Sequence, residues 1–202
     1  TSNFGNFFAL AFASLVIDFL PMLPIQILLL NLLSDFPMLS VATDTTDPRE
    51  NARPRGYNIR EIGLLALLLG FVSTAFDFAF FGFFVREGEQ ALQTMWFIGS
   101  VLTELVLLYS IRTSRFFLRA RAPSTTVLLL TVLVAALAVV LPFSSWGQRF
   151  FGFEPPKLSF LAVALAIVAL YFLTTEVVKL WTYAFLGRSR PHGVKNGRVP
   201  KG

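Results

Sequence analysis

The sequence predicts an all-α protein: a polytopic membrane helix bundle with six transmembrane helices. Three observations carry that expectation. Of the 202 residues, 55% are hydrophobic and only 14% charged. A soluble domain has about a quarter of its residues charged, so these charges are too few to coat a water-facing surface. The mean hydropathy is +0.67. The apolar residues also fall in blocks close to the roughly 20 helical residues that cross a hydrocarbon core of about 30 Å.

The first block, Phe4–Leu20, is short. Neither a basic leader nor a small-residue cleavage site precedes it, so it does not read as a signal peptide. Starting at Thr1-Ser2-Asn3, the chain is expected to begin inside a longer polypeptide. Pro21-Met22-Leu23 predicts a tight hairpin, laying the first span alongside the second, Pro24–Ala42. The third, Ile62–Val85, follows the polar loop Thr43–Glu61; the fourth is Ala91–Ile111 and the fifth Thr125–Pro142. The loop Ser144–Lys157 carries Trp146, Phe150, Phe151 and Phe153, and is expected to lie along the membrane surface. The sixth span is Leu158–Val178. Residues 1–186 thus form one membrane domain, and 187–202, rich in Gly, Pro and basic residues, a flexible tail.

The charges orient the bundle. All but Arg86, Arg149 and Lys157 of the 17 lysines and arginines fall after the second, fourth and sixth spans. By the positive-inside rule that side is cytoplasmic, and six spans then place both chain ends there. The net charge of +5 is accordingly a topological signal with attraction to anionic lipid heads, and nucleic acid is not an expected partner. With no cysteine and a single histidine, His192 in the tail, disulfides, thiol catalysis and cysteine-based metal centres are excluded. No phosphate-binding G-x-x-x-x-G-K-[ST], no G-x-S-x-G and no H-E-x-x-H occurs. No catalytic residue and no ATP site is therefore expected in these residues.

Ionisable groups inside a membrane cost several kcal/mol unless paired or hydrated, so they are the first functional candidates. Asp18, Asp35, Asp77, Glu104 and Glu176 lie in or near spans, and the nearby cation is Lys179. Carboxylates without buried cationic partners suit a cation site or a proton path. On a helix Asn31, Ser34 and Asp35 stand at i, i+3 and i+4, sharing one face. Pro37 lacks an N–H and frees a carbonyl near Leu33, an arrangement by which transporters build midplane cation sites. Asn3 and Asn6 form an i, i+3 pair on the first span, and Glu104 is centred in the fourth. These hard oxygen and amide ligands suit Mg²⁺, Ca²⁺, Na⁺ or K⁺, with Mg²⁺ satisfied by amides and one or two carboxylates. Interhelical hydrogen bonding is the alternative role for such groups. It is the expected role of the Glu176–Lys179 pair, and Asp77, flanked by Phe76 and Phe78, is expected to bond a neighbour.

The segments Ser2-Asn3-Phe4-Gly5-Asn6 and Pro21-Met22-Leu23-Pro24-Ile25-Gln26-Ile27-Leu28-Leu29-Leu30-Asn31-Leu32-Leu33-Ser34-Asp35 resemble the P-type cation ATPases, from their fifth to their tenth membrane helix. Arg53-Pro54-Arg55, Ile111-Arg112-Thr113, Leu141-Pro142-Phe143-Ser144 and Leu158-Ser159-Phe160 extend the similarity towards bacterial magnesium-transporting members. The resemblance implies a cation site at Asn3, Asn6, Asn31, Ser34, Asp35 and Glu104, with Asp35 and Asn31 as metal ligands. It also implies Mg²⁺ as the transported ion, and ATP bound by the parent protein and not by this chain. The expected partners are the remaining membrane helices, the lipid bilayer and a cytoplasmic phosphorylation domain, docked against Thr43–Glu61. The expected location is a bacterial inner membrane. Glu104 departs from the glutamine expected there in magnesium transporters. A calcium, proton or monovalent cation pump therefore stays open, as does a non-catalytic six-span protein whose polar residues hold helices together.

Overall fold

The computed structural model describes residues 2–15, 17–41, 44, 59–113, 116–117 and 122–188, with side chains described for 6–15, 17–41, 44, 62–113, 116–117 and 122–185. The described residues form helices and no strands: α1 Ser2–Ala13, α2 Pro24–Ser40, α3 Ile59–Phe84, α4 Glu89–Ile111, α5 Thr125–Val140, the short α6 Ser145–Phe151, and α7 Leu158–Arg188. Single 3-10 turns, Val85–Glu87 and Leu141–Phe143, follow α3 and α5. Four segments are long and apolar enough to cross a membrane: Ile62–Glu87, Glu89–Ile111, Thr125–Phe143 and Leu158–Phe185. The apolar α2 is shorter at 17 residues.

Local chemistry sets the helix ends. Pro24 occupies the first turn of α2, where a missing N–H is harmless. The Gln26 side chain there accepts from the Leu23 N–H at 3.0 Å. Ser124 caps α5 by accepting from the Val127 N–H, and Ser144 caps α6 by accepting from the Gly147 N–H at 2.9 Å. Gly152 closes α6 with φ 69°, in the left-handed region. α2 continues through Pro37 to Ser40.

Helix α4 is the axis of the bundle. It is buried along most of its length, whereas α3, α5 and α7 each bury one stripe, and it contacts α2, α3, α5 and α7. The stripe on α5 is Val127, Thr131, Val134 and Ala138; that on α7 includes Ala164, Ile167, Val168, Tyr171, Thr175 and Lys179. Both follow helical spacing. Their other faces leave Leu129, Val132, Leu165, Leu170 and Val177 exposed, an apolar surface of the kind that suits contact with a membrane. At Gly99 of α4 a Cβ would overlap the buried Phe80 ring of α3, so the missing side chain sets how closely these helices approach.

The first span differs from expectation. α1 ends at Ala13 and a ten-residue connection, 14–23, leads to α2, instead of a three-residue hairpin. α1 lies chiefly against α3, not along α2, presenting the small buried residues Ala9 and Ala13. Ser14 donates its hydroxyl to the Ala11 carbonyl, one turn back, a local bond that competes with helix continuation. Pro21 further disfavours helix at Leu20.

Hydrogen bonds define the two ends of the bundle. At one, Gln26 Nε2 donates to the Phe151 carbonyl and Gln93 Nε2 to the Leu20 carbonyl, both at 2.8 Å. The Glu154 N–H donates to Thr94 Oγ1. Lys157 lies 3.9 Å from Glu87 at this end. At the other, Asp44 joins Arg112 Nε and the Ser124 N–H, both at 2.8 Å, and Glu176 with Lys179 joins Ser110 and Phe117. The short α6 leaves Trp146 and Phe150 exposed and stacked at 4.9 Å, the aromatic display expected of an interfacial segment. The loop 43–61, apart from Asp44 and the backbone of 59–61, lies outside the described residues, as do His192 and nearly all of the basic tail.

A polar site inside the helix bundle

The fold joins two sequence-predicted residues that are 98 positions apart. Asn6 Nδ2 donates to Glu104 Oε1 at 3.0 Å. Glu104 is 2% exposed, so its carboxylate stands in the bundle interior on the central helix. An amide that can turn either its N–H₂ or its carbonyl towards a ligand, beside an oxygen-only acceptor, is a donor set for a hard cation or a proton.

The α2 cluster divides between two faces. Ser34 is buried and its hydroxyl donates within the helix, to the Leu30 carbonyl at 3.0 Å and the Asn31 carbonyl at 3.3 Å. Asn31 is half-buried and Asp35 is exposed on the flank of the bundle. Helical spacing put the three on one side of α2, but their i, i+3, i+4 arc is wide enough for one member to turn inward and another outward. The side chain of Asn3 lies outside the described ones. Among the described residues, no group of three or more His, Cys, Asp or Glu is arranged to hold a metal.

Two further carboxylates of the bundle, Asp77 and Glu176, are hydrogen-bonded within it. Asp77 Oδ1 accepts from Trp96 Nε1–H at 2.8 Å, inside the bundle, the neighbour bond expected of it. Glu176 and Lys179 form an ion pair at 2.6 Å with both side chains 1% exposed. Lys179 Nζ also donates to the Ser110 carbonyl at 2.9 Å, and the Phe117 N–H donates to Glu176 Oε2 at 3.1 Å. This expected structural pair is therefore a buried clamp between α7, the end of α4 and the segment that follows it. Asp18 is exposed in the connection after α1.

Sequence reasoning passed over Gln26, fully buried and bonded at both ends of its amide, and Gln93, which bridges Glu89 and the Leu20 carbonyl. The available signal was an amide within the first turns of a span, where backbone groups of neighbouring loops need partners.

The fold and this interior define a class: a multi-pass helical membrane protein with an ionisable carboxylate at its axis. Residues 19–181 match the family described as "Cation transporting ATPase, C-terminus". The chain is 34% identical over 187 residues to the magnesium-transporting ATPase, P-type 1, of Salmonella typhimurium (strain LT2), covering 89% of this chain and 20% of that protein. It is 30% identical over 186 residues to the protein of the same name from Escherichia coli (strain K12), covering 89% and 21%. The chain belongs to the cation-transporting ATPase family as its C-terminal membrane domain. It spans about a fifth of the length of these curated relatives.

Proposed function

We propose that this chain is the second half of the membrane domain of an ATP-driven magnesium pump, and that it supplies part of the cation path for Mg²⁺ uptake across a bacterial inner membrane. The observation that carries this is the Asn6–Glu104 pair, a carboxylate and an amide joined in the interior from helices far apart in sequence. Asn3, Asn31, Ser34 and Asp35 complete the proposed ligand set, with Asp35 and Asn31 on the Mg²⁺. The exposure of Asp35 fits such a role. A carboxylate facing hydrocarbon is costly, and the remaining helices of the parent protein would cover that flank. Mg²⁺ keeps much of its hydration shell and needs few charged ligands, which suits a site richer in amides than in carboxylates.

In the parent, α1 and α2 act as spans with the other four. Both ends of the 1–186 domain face the cytoplasm, followed by the basic tail 187–202. ATP and the phosphorylation domain belong to the parent, and the loop 43–61 is the docking segment for that domain. The partners of this chain are thus the upstream helices, the phosphorylation domain and lipid. The relatives' names support magnesium over calcium, protons or monovalent cations.

Growth of a magnesium-uptake-deficient bacterium at limiting Mg²⁺, rescued by the full-length parent, tests the assignment. Asp35→Asn should abolish rescue while leaving the protein in the membrane at normal abundance. Rescue by the variant equal to wild type would remove Asp35 from the site. Loss of abundance alone would assign it a structural role.

A further inference from the structure

A second polar cluster lies in the seam of α3, α4 and α7. Asp77 is 5% exposed, Ser100 1% and Tyr171 1%. Asp77 Oδ2, Ser100 Oγ and the Tyr171 hydroxyl have no hydrogen-bond partner among the described residues. Ser73, also buried, lies beside that hydroxyl. Trp96, Ser100 and Glu104 stand at i, i+4 and i+8 on one face of α4. Trp96 holds Asp77 of α3 at one end of this face, and Glu104 holds Asn6 at the other. Phe76, next to Asp77, packs edge-on against Tyr171 at 5.4 Å, so Tyr171 of α7 lines the same seam.

Buried polar atoms are paired in folded proteins because each unpaired one costs about 1–3 kcal/mol. Three in one seam, on three helices, point to a ligand with both donor and acceptor capacity and little volume. Water meets that description: Asp77 Oδ2 can accept from it, and the two hydroxyls can donate or accept. We propose that the α3–α4–α7 seam is a water-binding site formed by Asp77, Ser100 and Tyr171. The bound water joins the Trp96–Asp77 pair to the Asn6–Glu104 pair in one polar column, about 12 Å long over the eight residues of α4 from Trp96 to Glu104. The site stands on the packing of these helices and is independent of the cation carried.

The sign of a stability change tests it. Tyr171→Phe and Ser100→Ala each remove one oxygen and leave the carbon skeleton in place. In a dry seam, deleting an unpaired hydroxyl leaves the melting temperature of the full-length parent unchanged or raises it. In a hydrated seam each variant lowers it by ~2 °C or more, and the double variant departs from the sum because both residues share the water. Unchanged or higher midpoints, or strictly additive decreases, would overturn the proposal. Where a variant cannot be recovered, wild-type protein supplies the answer. Magnetisation should transfer from water to the Trp96 indole N–H, a resonance recognised by its loss in Trp96→Phe. Absence of transfer would overturn the proposal equally.

Discussion

Replacing Lys179 with methionine exposes how the clamp at one end of the bundle works. The Lys179–Glu176 pair is 2.6 Å long and 1% exposed on both sides, so neither charge is compensated by bulk water. Methionine keeps the length and apolar stem of lysine but leaves Glu176 with the Phe117 N–H as its donor at 3.1 Å. It also removes the ammonium that reaches the Ser110 carbonyl. Breaking a buried pair from one side costs about 3–5 kcal/mol, because the remaining charge stays desolvated. Replacing both members, Lys179→Met with Glu176→Leu, removes both charges and leaves neutral groups such as the Ser110 carbonyl and the Phe117 N–H short of a partner, worth about 1 kcal/mol each. The double variant should therefore be more stable than the single one by about 1–3 kcal/mol. Thermal unfolding of the detergent-solubilised full-length parent, followed for wild type and the single and double variants, measures this. A single variant within ~0.5 kcal/mol of wild type, or a double variant worse than Lys179→Met, would refute a buried, mutually dependent pair.

Two further perturbations probe the interior. Trp96→Phe keeps an aromatic ring against Phe81, now at 4.7 Å, but removes the donor to Asp77. It should destabilise by about 1–3 kcal/mol, and Asp77→Leu in the same background should recover part of the loss; failure to recover would mean that the ring, and not the hydrogen bond, matters. Gly99→Ala places a methyl group on the Phe80 ring, which is itself 1% exposed and stacked on Phe84. Overpacking there should cost about 1–3 kcal/mol, and an unchanged melting temperature would show that α3 and α4 can separate without penalty.

The long helices were legible because hydropathy fixes them directly. The expected start of α5 at Thr125 and of α7 at Leu158 coincides with the structure, for each follows a polar or proline-containing loop. The last expected span ends at Val178, yet α7 runs ten residues further to Arg188; a helix does not stop where the bilayer does, and hydropathy marks only the bilayer. α1 ends earlier than the apolar run from Phe4 to Leu20 suggests, because Ser14 and Pro21 oppose helix along the second half of that run. The site was half legible. Charge in an apolar segment singled out Glu104, but its bond to Asn6 depends on the tertiary path of α1. Periodicity grouped Asn31, Ser34 and Asp35; it could not show which of them turns inward, since that depends on where α4 and α5 lie against α2.

The most direct test of the account is ion flux by the purified full-length parent in sealed vesicles, followed with an entrapped Mg²⁺ indicator as ATP is added. The account predicts ATP-dependent Mg²⁺ movement that Ca²⁺, Na⁺ and K⁺ in the same medium do not replace, and that Glu104→Gln, which retains an acceptor for Asn6, alters in rate without loss of fold. ATP-driven movement of another cation with no Mg²⁺ flux would contradict the magnesium assignment, and Glu104→Gln transporting as wild type would take the buried carboxylate out of the cation path.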